Sequence, residues 1–334
     1  MNQEKTSGHL AGKAAGESGK GQRIVAIGQP AGDNYRYTGT VMKHVILGAG
    51  AIGGLVATGL SSLGEDVSLI VRHGKLGGHP TVLTSTSPTG AIAAPVKLAS
   101  HLTEPAEVLW IATKTYQLSD ALASVEVIPR IIVPLLNGVD HIAVLRARYG
   151  HDRIIPATIA VEAERQSQGH YIHHTPVRLN LAGSGEPMLG DVITRLQGLG
   201  WHCRFVANEA TLMWSKLCFL EPFALVTSAS GKNNGEIQAD PEWKAKLDAA
   251  VREVCTVATK EGAEVDANKV LTAYPNSPPT MRASMAKDLA ARRRLELDGI
   301  AGPVLRAAFR HGIKVPTTSS LVGIIEESEK AREI

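Results

Sequence analysis

The chain has 334 residues, 44% of them hydrophobic and 20% charged, with a formal net charge of +3. That length suffices for one large or two medium folded units, and basic residues scattered without a dense block argue against a nucleic-acid partner. The three cysteines, at 203, 218 and 255, lack metal-ligand or disulfide-framework spacing, so reduced core thiols, no metal site and a cytoplasmic protein are expected.

Residues 1–41 are rich in Gly, Lys and Ser and poor in apolar residues apart from IVAIG, a composition that predicts a disordered extension. The apolar run of a secretory signal is missing, and Glu4, Glu17 and Asp33 are out of place in a transit peptide. The next stretch, from Lys43 to Glu65, holds 21 consecutive residues without a formally charged side chain. A membrane span is excluded by its glycines, Gly48, Gly50, Gly53, Gly54 and Gly59, which are too many for a lipid-facing helix. Its periodicity also changes: HVIL is a short strand-like run, whereas Ile52, Leu55, Val56, Leu60 and Leu63 recur at helical spacing.

DVSLIVR reads as a second strand, AEVLWIATK (106–114) as a buried third and IIVPLLNG (131–138) as a fourth, with helices or loops between them. Continuously apolar strands alternating with helices imply a parallel sheet covered on both faces. Residues 156–183 are expected to add strands that complete this sheet. Beyond about residue 208 every long segment favours helix, and Pro222 should kink or divide the first of them. The expected plan is therefore a Rossmann-type dinucleotide-binding α/β domain over 42–208, followed by an all-helical substrate and catalytic domain over 209–334.

Gly48, Gly50 and Gly53 satisfy GxGxxG between a strand and a helix. In that setting the glycines serve a tight turn, close backbone approach to a pyrophosphate and close packing of helix on strand. The loop residues Gly48, Ala49, Gly50, Ala51, Ile52 and Gly53 are thus the candidate cofactor cradle, with free N–H groups at the helix start facing the anion. At the end of the second strand stands Arg72, where an NAD enzyme usually has a carboxylate. A guanidinium there can fork onto a 2′-phosphate, which favours NADP.

GAGAIGG with Arg72 beyond the second strand, the TK of WIATK, LLNG, WSK, NNGE and SMAKD followed by Glu296 together resemble the 2-dehydropantoate 2-reductase (ketopantoate reductase) family. The resemblance spans nearly everything after residue 42 and implies reduction of a small 2-oxo acid to its 2-hydroxy acid with NADPH, in a site between the two domains. It implies Lys216 as proton donor, Lys114, Asn137 and Glu296 as cofactor contacts, and Asn137, Asn234 and Ser284 as substrate contacts. An ammonium suits the first role, because it can stabilise and then protonate the oxygen on which charge develops. Where the family commonly has asparagines four and eight residues after the lysine, this chain has Leu220 and Ala224. The resemblance makes ketopantoate the leading substrate, whereas that departure removes two polar contacts and points to a more apolar 2-oxo acid; a catalytically inactive NADP-binding or sensing protein is the further alternative. A homodimer is compatible with the resemblance.

Overall fold

The computed structural model describes residues 41–333. Apart from Val41, the expected extension lies outside the described residues. The chain begins with strand β1 (Lys43–Leu47), helix α1 (Ala51–Ser62), β2 (Asp66–Ile70), a hairpin of β3 (Val82–Ser87) and β4 (Gly90–Pro95), and the short β5 (Lys97–Ala99). There follow β6 (Val108–Ile111), α2 (Leu118–Leu122), β7 (Ile131–Pro134), α3 (His141–Tyr149), β8 (Ala157–Ala160), β9 (Ala163–Ser167), β10 (His170–His173), β11 (Arg178–Ala182), α4 (Glu186–Gly198) and β12 (His202–Val206).

β5, β2, β1, β6 and β7 form one sheet in that spatial order, every pairing in it parallel. The apolar runs read from the sequence are its buried centre: Val45, Ile46, Leu69, Leu109, Ile111 and Ile132 are almost wholly inaccessible. Strand order reverses direction between β1 and β6, and ligands of open α/β sheets bind beyond the carboxyl ends of strands at such a point.

Residues 156–183 do not complete this sheet. β8 and β11 join β12 in a separate three-stranded sheet, tied to β7 by an isolated bridge between Ile132 and Ile154. β9 and β10 instead pair with the β3–β4 hairpin in a four-stranded sheet lying on α1. Between the second and third main strands, where the sequence predicts helix or loop, the chain forms this hairpin. TVLTSTSPTGAIAAP is polar and small, so its strands owe their pairing to β10 rather than to apolar alternation.

The remainder is helical: α5 (Glu209–Ser230), α6 (Asn234–Ala239), α7 (Pro241–Lys260), α8 (Ala267–Ala273), α9 (Ser284–Ala290), α10 (Leu297–Ile300), α11 (Gly302–His311) and α12 (Pro316–Glu333). α5 starts where Asn208 caps it, the side chain accepting from Thr211 N at 2.9 Å. It is apolar on nearly all sides, as a helix enclosed by others must be, and packs on α7, α9 and α12. Of the two outcomes expected at Pro222, division does not occur: the helix runs unbroken over 22 residues. Enclosure holds the segment helical despite the missing N–H, and the Tyr274 hydroxyl donates to the neighbouring Phe219 carbonyl at 2.9 Å. Among the described residues no helix is long and apolar enough to cross a membrane, and no cluster of side chains could hold a metal ion.

Candidate active site

The glycine-rich loop joins β1 to α1 at the switch point. Gly48 has φ +114°, and a Cβ there would lie 2.8 Å from the Ala112 carbonyl oxygen at the end of β6. A Cβ on Gly53 would lie 1.8 Å from the Gly48 carbonyl oxygen, so the third glycine lets the helix close onto the turn. Around Gly50, by contrast, a Cβ would meet nothing within 4 Å. Two glycines therefore serve the protein's own packing and the middle one faces open space.

No side chain caps α1 and no acidic residue stands in its first turn, so its leading N–H groups lack a side-chain acceptor. Beside the loop, the buried Thr113 hydroxyl has no hydrogen-bond partner. This cradle of open space, unclaimed N–H groups and one orphaned hydroxyl fits a dinucleotide pyrophosphate. β2 runs parallel to β1 with Ile70 opposite Leu47, so Arg72 leaves the sheet on the same edge as Gly48. Its side chain is exposed.

The second part of the site is a chain of polar contacts between the two halves. Lys114, just beyond β6, donates to Glu296 Oε2 at 2.7 Å and to Asp288 Oδ2 at 3.2 Å. Glu296 is 4% exposed, and it accepts further from the Thr115 backbone N–H at 3.0 Å and from Asn137 Nδ2 at 3.4 Å. Asn137 then turns its Oδ1 to Lys216 Nζ at 2.9 Å. Asp288 is itself fixed by Arg293 Nε at 2.7 Å. Lys114, Asn137, Lys216 and Glu296, assigned from four distant motifs, thus lie within one hydrogen-bonded line.

Glycines make this closeness sterically feasible. Gly138 has φ +80°, and a Cβ there would stand 2.0 Å from the Gly299 carbonyl oxygen. A Cβ on Gly299 would meet Thr115 Oγ1 at 2.4 Å. The loops after β6 and β7 can therefore press onto α10, immediately beyond Glu296.

Electrostatics separates the two lysines. Burial opposes charge on Lys114, but Glu296 and Asp288 outweigh it and raise its pKa. Among the described residues no carboxylate is bonded to Lys216. The residue is half-buried, and desolvation pulls the pKa down to about 8, with Glu296 opposing through its charge. An ammonium poised there is a far better proton donor near neutrality than an ordinary lysine.

The remaining predicted residues lie outside the line. Ser284 is the exposed first residue of α9, with Asp288 one turn further along the same helix. Asn234 is buried, and its Nδ2 is engaged by the Tyr274 carbonyl at 2.8 Å, with the Ser277 and Pro278 carbonyls farther off. Only its Oδ1, which has no partner, remains for a ligand.

Three contributors escaped the sequence reading. Thr115 directly follows the TK motif and Asp288 ends SMAKD, and the i, i+4 spacing of Ser284 and Asp288 on one helix face is the available signal. His141 gave no signal. Its ring is 6% exposed with neither nitrogen bonded, and burial, helped by the charge of Lys216, depresses its pKa to about 3. It therefore stays neutral and adds no second positive charge near Lys216.

The comparisons with known proteins agree with this architecture. A 2-dehydropantoate 2-reductase of Caulobacter vibrioides is 27% identical over 297 residues, covering 84% of this chain and 97% of its own. The crystal structure of a PanE/ApbA family ketopantoate reductase from Ralstonia eutropha superposes with a TM-score of 0.78 at 22% identity, covering 88% of this chain and 100% of the other. The ternary structure of D-mandelate dehydrogenase with NADH and anilino(oxo)acetate gives 0.77 at 20% identity, with the same coverage, so both solved structures share the fold. The family profile "Ketopantoate reductase PanE/ApbA" matches residues 44–185 and its C-terminal counterpart matches 209–329, and the chain therefore belongs to the ketopantoate reductase PanE/ApbA family.

Proposed function

We propose that the protein is an NADPH-dependent reductase that converts a 2-oxo acid to the 2-hydroxy acid, with 2-dehydropantoate as the leading substrate and pantoate as its product. The observation that carries this reading is Lys216, a desolvated ammonium held by Asn137 at the junction of the two halves. Bound NADPH would supply a hydride to the carbonyl carbon. The protein's own part is to hold the keto oxygen against Lys216, which stabilises the developing negative charge and passes it a proton. Solvent then returns the proton to the amine. Asn137 keeps the ammonium aimed, and Glu296 orients Asn137 through its Nδ2. The Gly48–Gly53 loop would hold the pyrophosphate and Arg72 the 2′-phosphate, with Ser284 and the Asn234 Oδ1 available to the substrate. Residues 42–208 act as the cofactor half and 209–334 as the substrate half.

A second reading, reduction of a more apolar 2-oxo acid, is favoured by α5 itself. One and two turns after Lys216 stand Leu220 and the fully buried Ala224, neither able to pair with a substrate hydroxyl. A hydroxyl buried without a partner loses about 1–3 kcal/mol, equivalent to roughly ten- to a hundredfold in selectivity. The test is NADPH and NADH oxidation with a panel of 2-oxo acids. A preference of a hundredfold or more for ketopantoate would exclude the apolar reading, and silence with every acid would exclude reductase function. The reading also keeps the protein in the cytoplasm and is compatible with a homodimer, which sedimentation of the purified chain tests.

A further inference from the structure

The four-stranded sheet, absent from the sequence reading, brings a cation to the glycine-rich loop. Arg165 on β9 donates from Nη1 to the Ala49 carbonyl at 3.2 Å, although 116 residues separate the two. Its placement is built into the packing. In the antiparallel pairing of β9 with β10, Arg165 stands opposite Tyr171, so both side chains leave the same face of the sheet. Tyr171 is completely buried, and its ring lies so close to α1 that a Cβ on Gly54 would be 1.9 Å from Cζ. The aromatic ring thus anchors the sheet on the first turn of α1, and Arg165 reaches back from that anchor to the residue before Gly50. The Tyr171 hydroxyl, buried beside the same turn, has no hydrogen-bond partner.

Among the described residues the guanidinium has no other hydrogen-bond partner. Its side chain is exposed, and among the described residues no carboxylate pairs with it: Glu162 binds Lys287 and Glu164 lies nearest His174. One of its five N–H donors is spent on Ala49, and that contact holds the others at the rim of the open space around Gly50. A planar cation with spare donors beside unclaimed helix N–H groups matches a diphosphate, which takes parallel bonds from a guanidinium fork.

We propose that Arg165 is a cofactor-binding residue, pairing with the pyrophosphate common to NADH and NADPH at the glycine-rich loop. This rests on the reading of Gly48–Gly53 as a dinucleotide cradle. The two arginines then divide the work: Arg165 supplies affinity for either dinucleotide, and Arg72 supplies the distinction between them.

The experiment is calorimetric or fluorescence titration of the purified full chain with NADPH, NADH, ADP-ribose and AMP, without substrate. In Arg165→Ala, affinity for NADPH, NADH and ADP-ribose should fall by a similar factor of about five to thirty. AMP, which has no pyrophosphate, should lose less, and the NADPH to NADH affinity ratio should stay unchanged. Arg165→Lys, which keeps the charge and loses the fork, should fall between wild type and Ala. Unchanged ADP-ribose affinity, or a loss confined to NADPH, overturns the proposal. Failure of wild-type protein to bind any dinucleotide would instead overturn the cradle reading beneath it. The melting temperature of the ligand-free Arg165→Ala protein should match wild type, and a drop of many degrees would make the residue structural and likewise overturn the proposal.

Discussion

Lys216 Nζ and Asn137 Oδ1 meet at 2.9 Å, joining the longest helix of the C-terminal half to the loop that follows β7. The contact gives the ammonium a neutral partner. A carboxylate in that place would raise its pKa, whereas an amide fixes direction and leaves desolvation to dominate. If Lys216 is the proton donor, kcat/KM falls as pH rises through about 8, because the deprotonated amine has no proton to give. Lys216→Ala lowers kcat by about 10² to 10⁴ with little change in NADPH affinity. Near-normal kcat in that variant would return Lys216 to an ordinary role as a helix residue.

The same shift has a consequence for stability. Between about 8 and the unfolded value of 10.5 the unfolded chain binds more protons at this position than the folded one, so folded-state stability rises with pH there. Lys216→Met is therefore expected to melt higher than wild type at pH 7, with the gap narrowing as pH approaches 10.5. Thermal unfolding across that range checks the sign, and a gap that widened would contradict the desolvation.

Glu296 supports the protonated form of Lys216 while holding Lys114, Thr115 and Asn137. Glu296→Gln removes that support, so the alkaline limb of kcat/KM should move to lower pH. Kinetic profiles of the two proteins, compared over pH 6 to 10, decide the matter, and an unmoved limb would break the electrostatic link. Lost charge-assisted bonds should also cost about 1.5–3 kcal/mol in stability.

Gly138 occupies positive φ against the Gly299 carbonyl. Gly138→Ala combines backbone strain of about 1–3 kcal/mol with a steric clash of similar cost. Denaturant unfolding should show the loss, and kcat should drop as Asn137 is pushed from Lys216. A neutral effect on both would mean that α10 yields easily.

Glu221 is completely buried in α5, and burial, assisted by Glu253 and only partly offset by Thr318, holds its pKa well above the usual carboxylate range. The folded chain therefore retains a proton that the unfolded chain releases near 4.5, and the associated stability declines as pH rises above that value. Glu221→Gln should raise the melting temperature at pH 8 more than at pH 5. Equal shifts at the two pH values would show that the carboxyl is not protonated.

Arg72 carries the proposed cofactor selectivity. Arg72→Ala is expected to weaken NADPH binding by about one to two orders of magnitude and leave NADH nearly unchanged, as charge-assisted contacts of this class imply. Titration of both cofactors provides the check, and equal losses would remove the 2′-phosphate role.

The order of local signals along the chain determined the frame of this protein. HVIL before GAGAIGG, then short apolar strands and long apolar helices, dictated a parallel sheet with a glycine-rich turn, because these patterns act between residues near one another in sequence. WSK, LLNG and Glu296 were also legible, but only as separate motifs. Tertiary structure decided that Lys114, Asn137, Lys216 and Glu296 form one line of hydrogen bonds, through the approach of Gly138 to Gly299 over a separation no periodicity reports. It also decided that polar strands such as TVLTSTS pair at all, since their stability comes from β10 and from Tyr171 wedged on Gly54. Desolvation completed the division: a lysine's charge is written in the sequence, but the fall of Lys216 to about 8 belongs to the protein packed around it.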